Sequence, residues 1–127
     1  MMFQEPRLIP WSDVLENVSL ASRSREKAIE VLEALELGSE LYRKPSELSG
    51  GMQQRAALAR ALAAESEILL LDEPFSALDR ELTLRIIPRI SEIARGRTII
   101  LAAHDADETK LLCSRCFGFG ELCAKNE

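Results

Sequence analysis

The chain has 127 residues, of which 46% are hydrophobic and 29% charged, with a net charge of −5. This is one domain's length, with enough apolar content to bury roughly two-thirds of its unfolded surface, which excludes a disordered chain. Acids and bases are interspersed rather than gathered into a basic stripe, which argues against nucleic acid as a partner, and the longest apolar runs, 68–71 and 99–103, are far shorter than the ~20 residues a membrane-spanning helix needs.

The opening residues, MMFQEPRLIPW, have neither the cationic start nor the apolar stretch of an export signal, so a cytoplasmic location is expected. Residues 26–37 place Ile29, Leu32 and either Ala28 or Leu35 at helical spacing, with Ser24 as a cap and Gly38 just past the end. Pro45 interrupts the next stretch. Ser49 then stands as an N-cap before an alanine-rich helix over 52–64.

Residues 68–71 and 98–103 are continuous aliphatic runs without polar alternation, which predicts strands of a parallel sheet covered on both faces. A helix from about 79 to 95 joins them, and Pro88 is expected to kink or divide it. After His104, Asp105 and Glu108 predict a reciprocal cap for a last helix running to about Cys116. Strand and helix in alternation give an α/β fold. Cys113 and Cys116 form a C-x-x-C pair with Cys123 beyond. With one histidine in the chain, a four-ligand zinc site is disfavoured, and the reading is reduced thiols packing as small apolar groups.

Two segments carry the chemistry. ILLLDEP, at 68–74, ends a buried strand in Asp72 and Glu73, at the strand end where ligands bind in open α/β sheets. Two solvated acids before a proline turn are the plain alternative. LSGGMQQR, at 48–55, puts Ser49, Gly50 and Gly51 at a helix start, where a hydroxyl, free backbone donors and the helix dipole favour an anion. An ordinary serine-capped helix is the alternative there.

Together these segments resemble the signature and Walker B motifs of ATP-binding cassette (ABC) ATPases, with Met52 where the signature commonly has Gln. The resemblance implies that Asp72 holds Mg²⁺ and that Glu73 polarises the attacking water. It also implies that Leu48, Ser49, Gly50 and Gly51 touch ATP held on the opposite subunit of a head-to-tail dimer. Three more elements follow the family's order: Gln4 as the loop glutamine sensing Mg²⁺ and water, the loop from Ser76 to Asp79 as a dimer contact, and His104 as the switch histidine. Gln4, Glu73 and His104 are thus the expected catalytic residues, and Ser76 and Asp79 join the nucleotide-facing set.

The surroundings of Gln4 resemble importers of the nitrate, sulfonate and taurine group, which makes Leu8, Ile9 and Trp11 candidate contacts for a membrane permease. Packing of Trp11 beneath the helices is the alternative. The gap of 44 residues from Gln4 to Leu48 shows no sustained heptads, unlike the DNA-repair branch of the superfamily. The resemblance divides the chain into a glutamine-loop exit, helical subdomain and signature helix over 5–64, and a core over 65–127.

No GxxxxGK[ST] phosphate loop occurs in the 127 residues. The expectation is therefore a partial ATPase domain, truncated at its N-terminus, peripheral on the inner face of the membrane. Alone it should be inactive toward Mg²⁺ and ATP and only marginally stable. The other reading is a half-domain that lends its signature motif to a complete partner.

Overall fold

The computed structural model describes residues 1–115 and 117. Three helices at the front of the chain pack on one another: α1 (Val14–Ser22), α2 (Arg25–Ala34) and α3 (Gly50–Ala63), with a 3₁₀ turn (Pro45–Glu47) leading into the third. Strand β1 (Ile68–Asp72) follows, then α4 (Arg80–Ile93), β2 (Thr98–Ala102) and α5 (Ala106–Leu112). Leu15, Leu32, Leu58, Leu62, Leu69 and Ile86 are fully buried where these elements meet.

Helix α2 is capped by the side chain of Ser24 and α3 by that of Ser49, as the sequence predicts. Helix α1 is not among the helices expected from the sequence, although Asp13 and Glu16 form a reciprocal capping box at its start. The D-x-x-E spacing was the available signal. At α5 the cap runs one way only, Asp105 accepting from the Asp107 and Glu108 amides. That helix stops at Leu112 rather than near residue 116, with Cys113 at its end, while Cys116 and Cys123 lie outside the described residues.

The sheet is parallel, pairing Ile68 with Thr98 through Asp72 with Ala102. Met2 adds a parallel bridge to Leu71 on the other edge of β1: its N–H reaches Leu70 O at 2.8 Å, and its carbonyl accepts from Asp72 N at 3.2 Å. Cover on both faces is not found. Leu69 and Leu71 are buried, whereas Ile68, Leu70 and Ile100 are 54%, 38% and 56% exposed. Alternate side chains of a strand point to opposite faces, and among the described residues only one face of the sheet is packed. Helix α4 runs undivided through Pro88, which lies on its exposed side, so of the kink or division expected there division is not found. There the carbonyl that loses its donor to the proline ring can meet water instead.

Arginines stitch the layers together. Arg97, just before β2, donates to Ser66 O at 2.7 Å and to the carbonyls of Leu62 and Ala64 at 2.8 Å each, closing the turn from α3 into β1. The end of α2 is gripped by Arg55, which donates to Leu35 O and Glu36 O, and by Arg89, which donates to Ala34 O. Cations there also suit the negative end of the helix dipole.

Arg85 holds the Glu36 carboxylate with two hydrogen bonds of 3.2 and 3.1 Å. These bonds, reinforced by the charges of Arg85, Arg89 and Arg55, hold Glu36 below the ordinary carboxylate value of 4.5. An acid whose folded-state pKa is depressed contributes stability that is present above its unfolded value and lost as pH falls through the folded one. Glu36→Gln is accordingly expected to shrink the loss of stability between pH 7 and pH 3, read as urea unfolding free energies at the two pH values. An unchanged difference would remove Glu36 from the acid limb.

Candidate functional site

The register of the sheet brings distant residues to one end. Asp72 pairs with Ala102, so the residues just beyond each strand, Glu73 and His104, emerge together. Glu73 leaves β1 in the left-handed region (φ 48°), and its N–H donates to Ala102 O at 2.8 Å. Its carboxylate, 16% exposed, lies 3.1 Å from Nε2 of His104, whose side chain is 97% exposed. Asp72 is half-buried beside it. Glu108 on α5 stands near this acid: burial first, then the charges of Asp105 and Glu73, push its carboxyl above the usual carboxylate range.

Gln4 arrives at the same end by a third route. The Met2 bridge is level with Leu71, so two further residues carry the chain past the end of β1, where Gln4 is exposed. The structure thus gathers Gln4, Asp72, Glu73 and His104 at the carboxyl ends of parallel segments, with the Glu73–His104 pair in direct contact.

The second cluster is the start of α3. The Ser49 hydroxyl accepts from Met52 N at 3.2 Å and keeps its own proton to donate, Gly50 is exposed, and Leu48 is buried beneath them. A helix of 14 residues presents its first amides there, a setting suited to an anion. Gly51 is covered by the loop that follows Glu73: a Cβ on it would sit 3.0 Å from Ala77 O and 3.4 Å from a methyl of Leu78. Asp79, at the end of that loop, caps α4 by accepting from Leu82 N at 2.9 Å.

Two polar residues that the motifs do not single out organise these loops. Gln54, only 2% exposed, donates through Nε2 to Glu73 O and Ser76 Oγ, each at 2.9 Å, and accepts from Ala77 N at 2.7 Å. A non-glycine residue in the left-handed region costs of order 1–3 kcal/mol, which three bonds at about 0.5–1.5 kcal/mol each offset. Asn17, fully buried on α1, accepts from Ile9 N at 2.7 Å and donates to the carbonyls of Ile9, Ser12 and Asp13. That fixes the loop bearing Leu8, Ile9 and Trp11. Trp11 is 77% exposed, so it does not pack beneath the helices, while Leu8 and Ile9 are half-buried. Nothing in the sequence pattern marks either residue as buried, because their hydrogen-bond partners lie in loops rather than on their own helix.

Among the described residues no group of three or more His, Cys, Asp or Glu side chains could hold a metal ion by itself. Asp72 provides a single half-buried carboxylate, which fits the habit of Mg²⁺ of taking one or two carboxylates and completing its shell with substrate phosphates and water. No helix among the described residues is long and apolar enough to cross a membrane.

A protein-family model described as ABC transporter matches residues 1–76. The chain is 47% identical over 119 residues to the aliphatic sulfonates import ATP-binding protein SsuB 1 of Rhodococcus jostii, covering 91% of this chain and 48% of that protein. It is 43% identical over 124 residues to the spermidine/putrescine import ATP-binding protein PotA of Roseobacter denitrificans, covering 90% and 34%. Among solved structures it resembles the dimeric structure of MJ0796, a bacterial ABC transporter cassette, with a TM-score of 0.78 and 35% identity over 87% of this chain and 53% of that one. The chain spans about half the length of the sulfonate-import relatives it matches.

Proposed function

Because this chain belongs to the ABC transporter family, we propose that it forms part of the ATP-binding and ATP-hydrolysing subunit of an importer, coupling hydrolysis to solute uptake. The observation that carries the reading is the 3.1 Å contact between Glu73 and His104 at the carboxyl ends of a parallel strand pair. A half-buried carboxylate aligned by an imidazole is placed to orient and polarise an attacking water. Asp72 would hold Mg²⁺, which neutralises charge on the phosphate oxygens, and Gln4 would contact the ion and the water.

The start of α3, with Ser49 and Gly50 exposed and Leu48 and Gly51 backing them, would face the triphosphate of a second cassette in a head-to-tail dimer, with Ser76 and Asp79 at the same interface. That a similar cassette, MJ0796, has a dimeric structure supports pairing of two cassettes. Leu8, Ile9 and Trp11 would meet the permease. The exposure of Trp11 on a loop held rigid by Asn17 supports a docking role, with the subunit working at the inner face of the membrane. Residues 5–64 would act as the helical, permease-facing part and 65–127 as the catalytic part.

The 127 residues contain no GxxxxGK[ST] loop, and the amides and lysine of such a loop supply much of the binding energy for a triphosphate. The chain alone is therefore expected to bind Mg-ATP weakly and to hydrolyse it negligibly. A chimaera joining to this chain the part of the Rhodococcus jostii relative that it does not match is expected to gain micromolar affinity and turnover. Calorimetric titration and phosphate release check both. A folded chimaera that binds Mg-ATP without turning it over would favour the second reading, a half-domain lending its signature segment to a complete partner. That reading has its own support in the well-packed core beneath α3.

A further inference from the structure

The geometry points to Gln54 as a positioning residue for Glu73: its carboxamide ties the start of α3 to the acid-bearing turn, so that the two clusters keep one fixed relation. Glu73 is pinned at both ends of its backbone. Its N–H is held by Ala102 O in β2, and its carbonyl by Gln54 Nε2. The same nitrogen reaches the Ser76 hydroxyl, and Oε1 takes the Ala77 N–H. Gln54 thus engages the backbone or side chain of three residues in the turn from within a buried position.

The left-handed backbone at Glu73 makes this restraint consequential. Such a residue persists only where its surroundings over-determine it, and freeing its carbonyl lets the peptide rotate toward the ordinary right-handed or extended regions. That rotation re-aims Cβ, and with it the carboxylate that meets His104. Gly51 supplies an independent brace on the same face of the turn, its missing side chain letting α3 approach Ala77 O closely. Only a glutamine meets the requirement at position 54. Glutamate has no donor for the Glu73 carbonyl, methionine has neither donor nor strong acceptor, and asparagine is one methylene too short. The consequence is mechanical: the start of α3, which faces outward, and Glu73, which faces the sheet end, move as one body.

The catalytic meaning of this link rests on the ATPase reading, but the link itself can be read in the 127-residue chain without nucleotide. The chain has a single histidine, so the Cε1–H of the His104 ring gives an unambiguous carbon–proton NMR signal. Gln54→Met keeps the length and apolar packing of the side chain while removing its hydrogen bonds. It is expected to move the His104 signal in the same direction as Glu73→Gln does, with no additional movement in the double variant. A merely structural role for Gln54 would lower the melting temperature and leave the histidine signal in place.

A His104 signal that stays put in Gln54→Met, or that moves further in the double variant than in Glu73→Gln alone, overturns the inference. If Gln54→Met does not fold, amide exchange on the unaltered chain decides. An Ala77 amide as protected as those of α3 supports the link, and one exchanging at the free rate overturns it. Either result is separable from the function of the site, because loss of turnover in the chimaera is a different measurement.

Discussion

Exchanging Glu73 for glutamine in the chimaeric cassette is expected to slow ATP hydrolysis about 100-fold or more while leaving Mg-ATP affinity within about twofold. Proton transfer by a positioned side chain contributes typically 10²–10⁴-fold, so the loss corresponds to roughly 3 kcal/mol or more of barrier. Glutamine keeps the shape of the side chain and a contact with His104, but it carries no charge and takes no proton. The carboxylate is 16% exposed and 3.1 Å from Nε2 of His104, so little else at that point can substitute for it. Glu108 is the nearby acid to compare. Burial pushes its carboxyl upward and it lies on α5 rather than at the strand end, so Glu108→Gln is expected to change turnover by less than about threefold. Phosphate release under single-turnover conditions, with binding measured separately, distinguishes the two. Turnover by Glu73→Gln at the rate of the unaltered chimaera would displace Glu73 from the role of base.

The neighbouring glycines at the start of α3 are expected to respond to substitution in opposite ways. A methyl group on Gly50 would meet nothing within 4 Å, so Gly50→Ala is expected to hold stability within about 0.5 kcal/mol or raise it slightly, since alanine is the better helix former by about 1 kcal/mol. At Gly51 the same atom would sit 3.0 Å from Ala77 O, a backbone atom, and 3.4 Å from Leu78. Gly51→Val, which adds further branches in that space, is expected to cost about 2–3 kcal/mol by overpacking and to push the loop away from α3. Urea unfolding of the 127-residue chain measures both. Equal stabilities for the two variants would mean that the close approach of α3 and the loop is not maintained in solution. In the chimaera, a Gly50→Ala variant that folds normally but loses turnover would mark an open backbone there as a need of the bound phosphate rather than of the fold.

Local signals carried much of this structure. Ser24 and Ser49 announce their helices because a hydroxyl before an apolar-periodic run satisfies an amide that the helix cannot. The aliphatic runs of β1 and β2 announce a parallel pair because such runs without polar alternation are typical of parallel strands, although the cover on both faces that they imply is not found among the described residues. Helix α1 was less legible. Its valines and serines are poor helix formers, and its stability comes from a capping box and from packing on α2 and α3. Helix α2 ends a little earlier than its apolar spacing suggests for a related reason: Glu36 takes a left-handed backbone that arginines from α3 and α4 hold in place, and those arginines are distant in sequence.

The candidate site divides along the same line. By itself the sequence determined the family and the α/β class, because these depend on composition and spacing along the chain. Only the tertiary structure decided that Glu73 meets His104 and that Gln54 and Gly51 brace the loop between Glu73 and Asp79. It likewise decided that Asn17 fixes the Trp11 loop and that, among the described residues, one apolar face of the sheet stays open. The physical reason is that a hydrogen bond or a close approach between residues tens of positions apart leaves no periodicity behind. It comes into being only when strand register and helix packing bring the two partners to the same point.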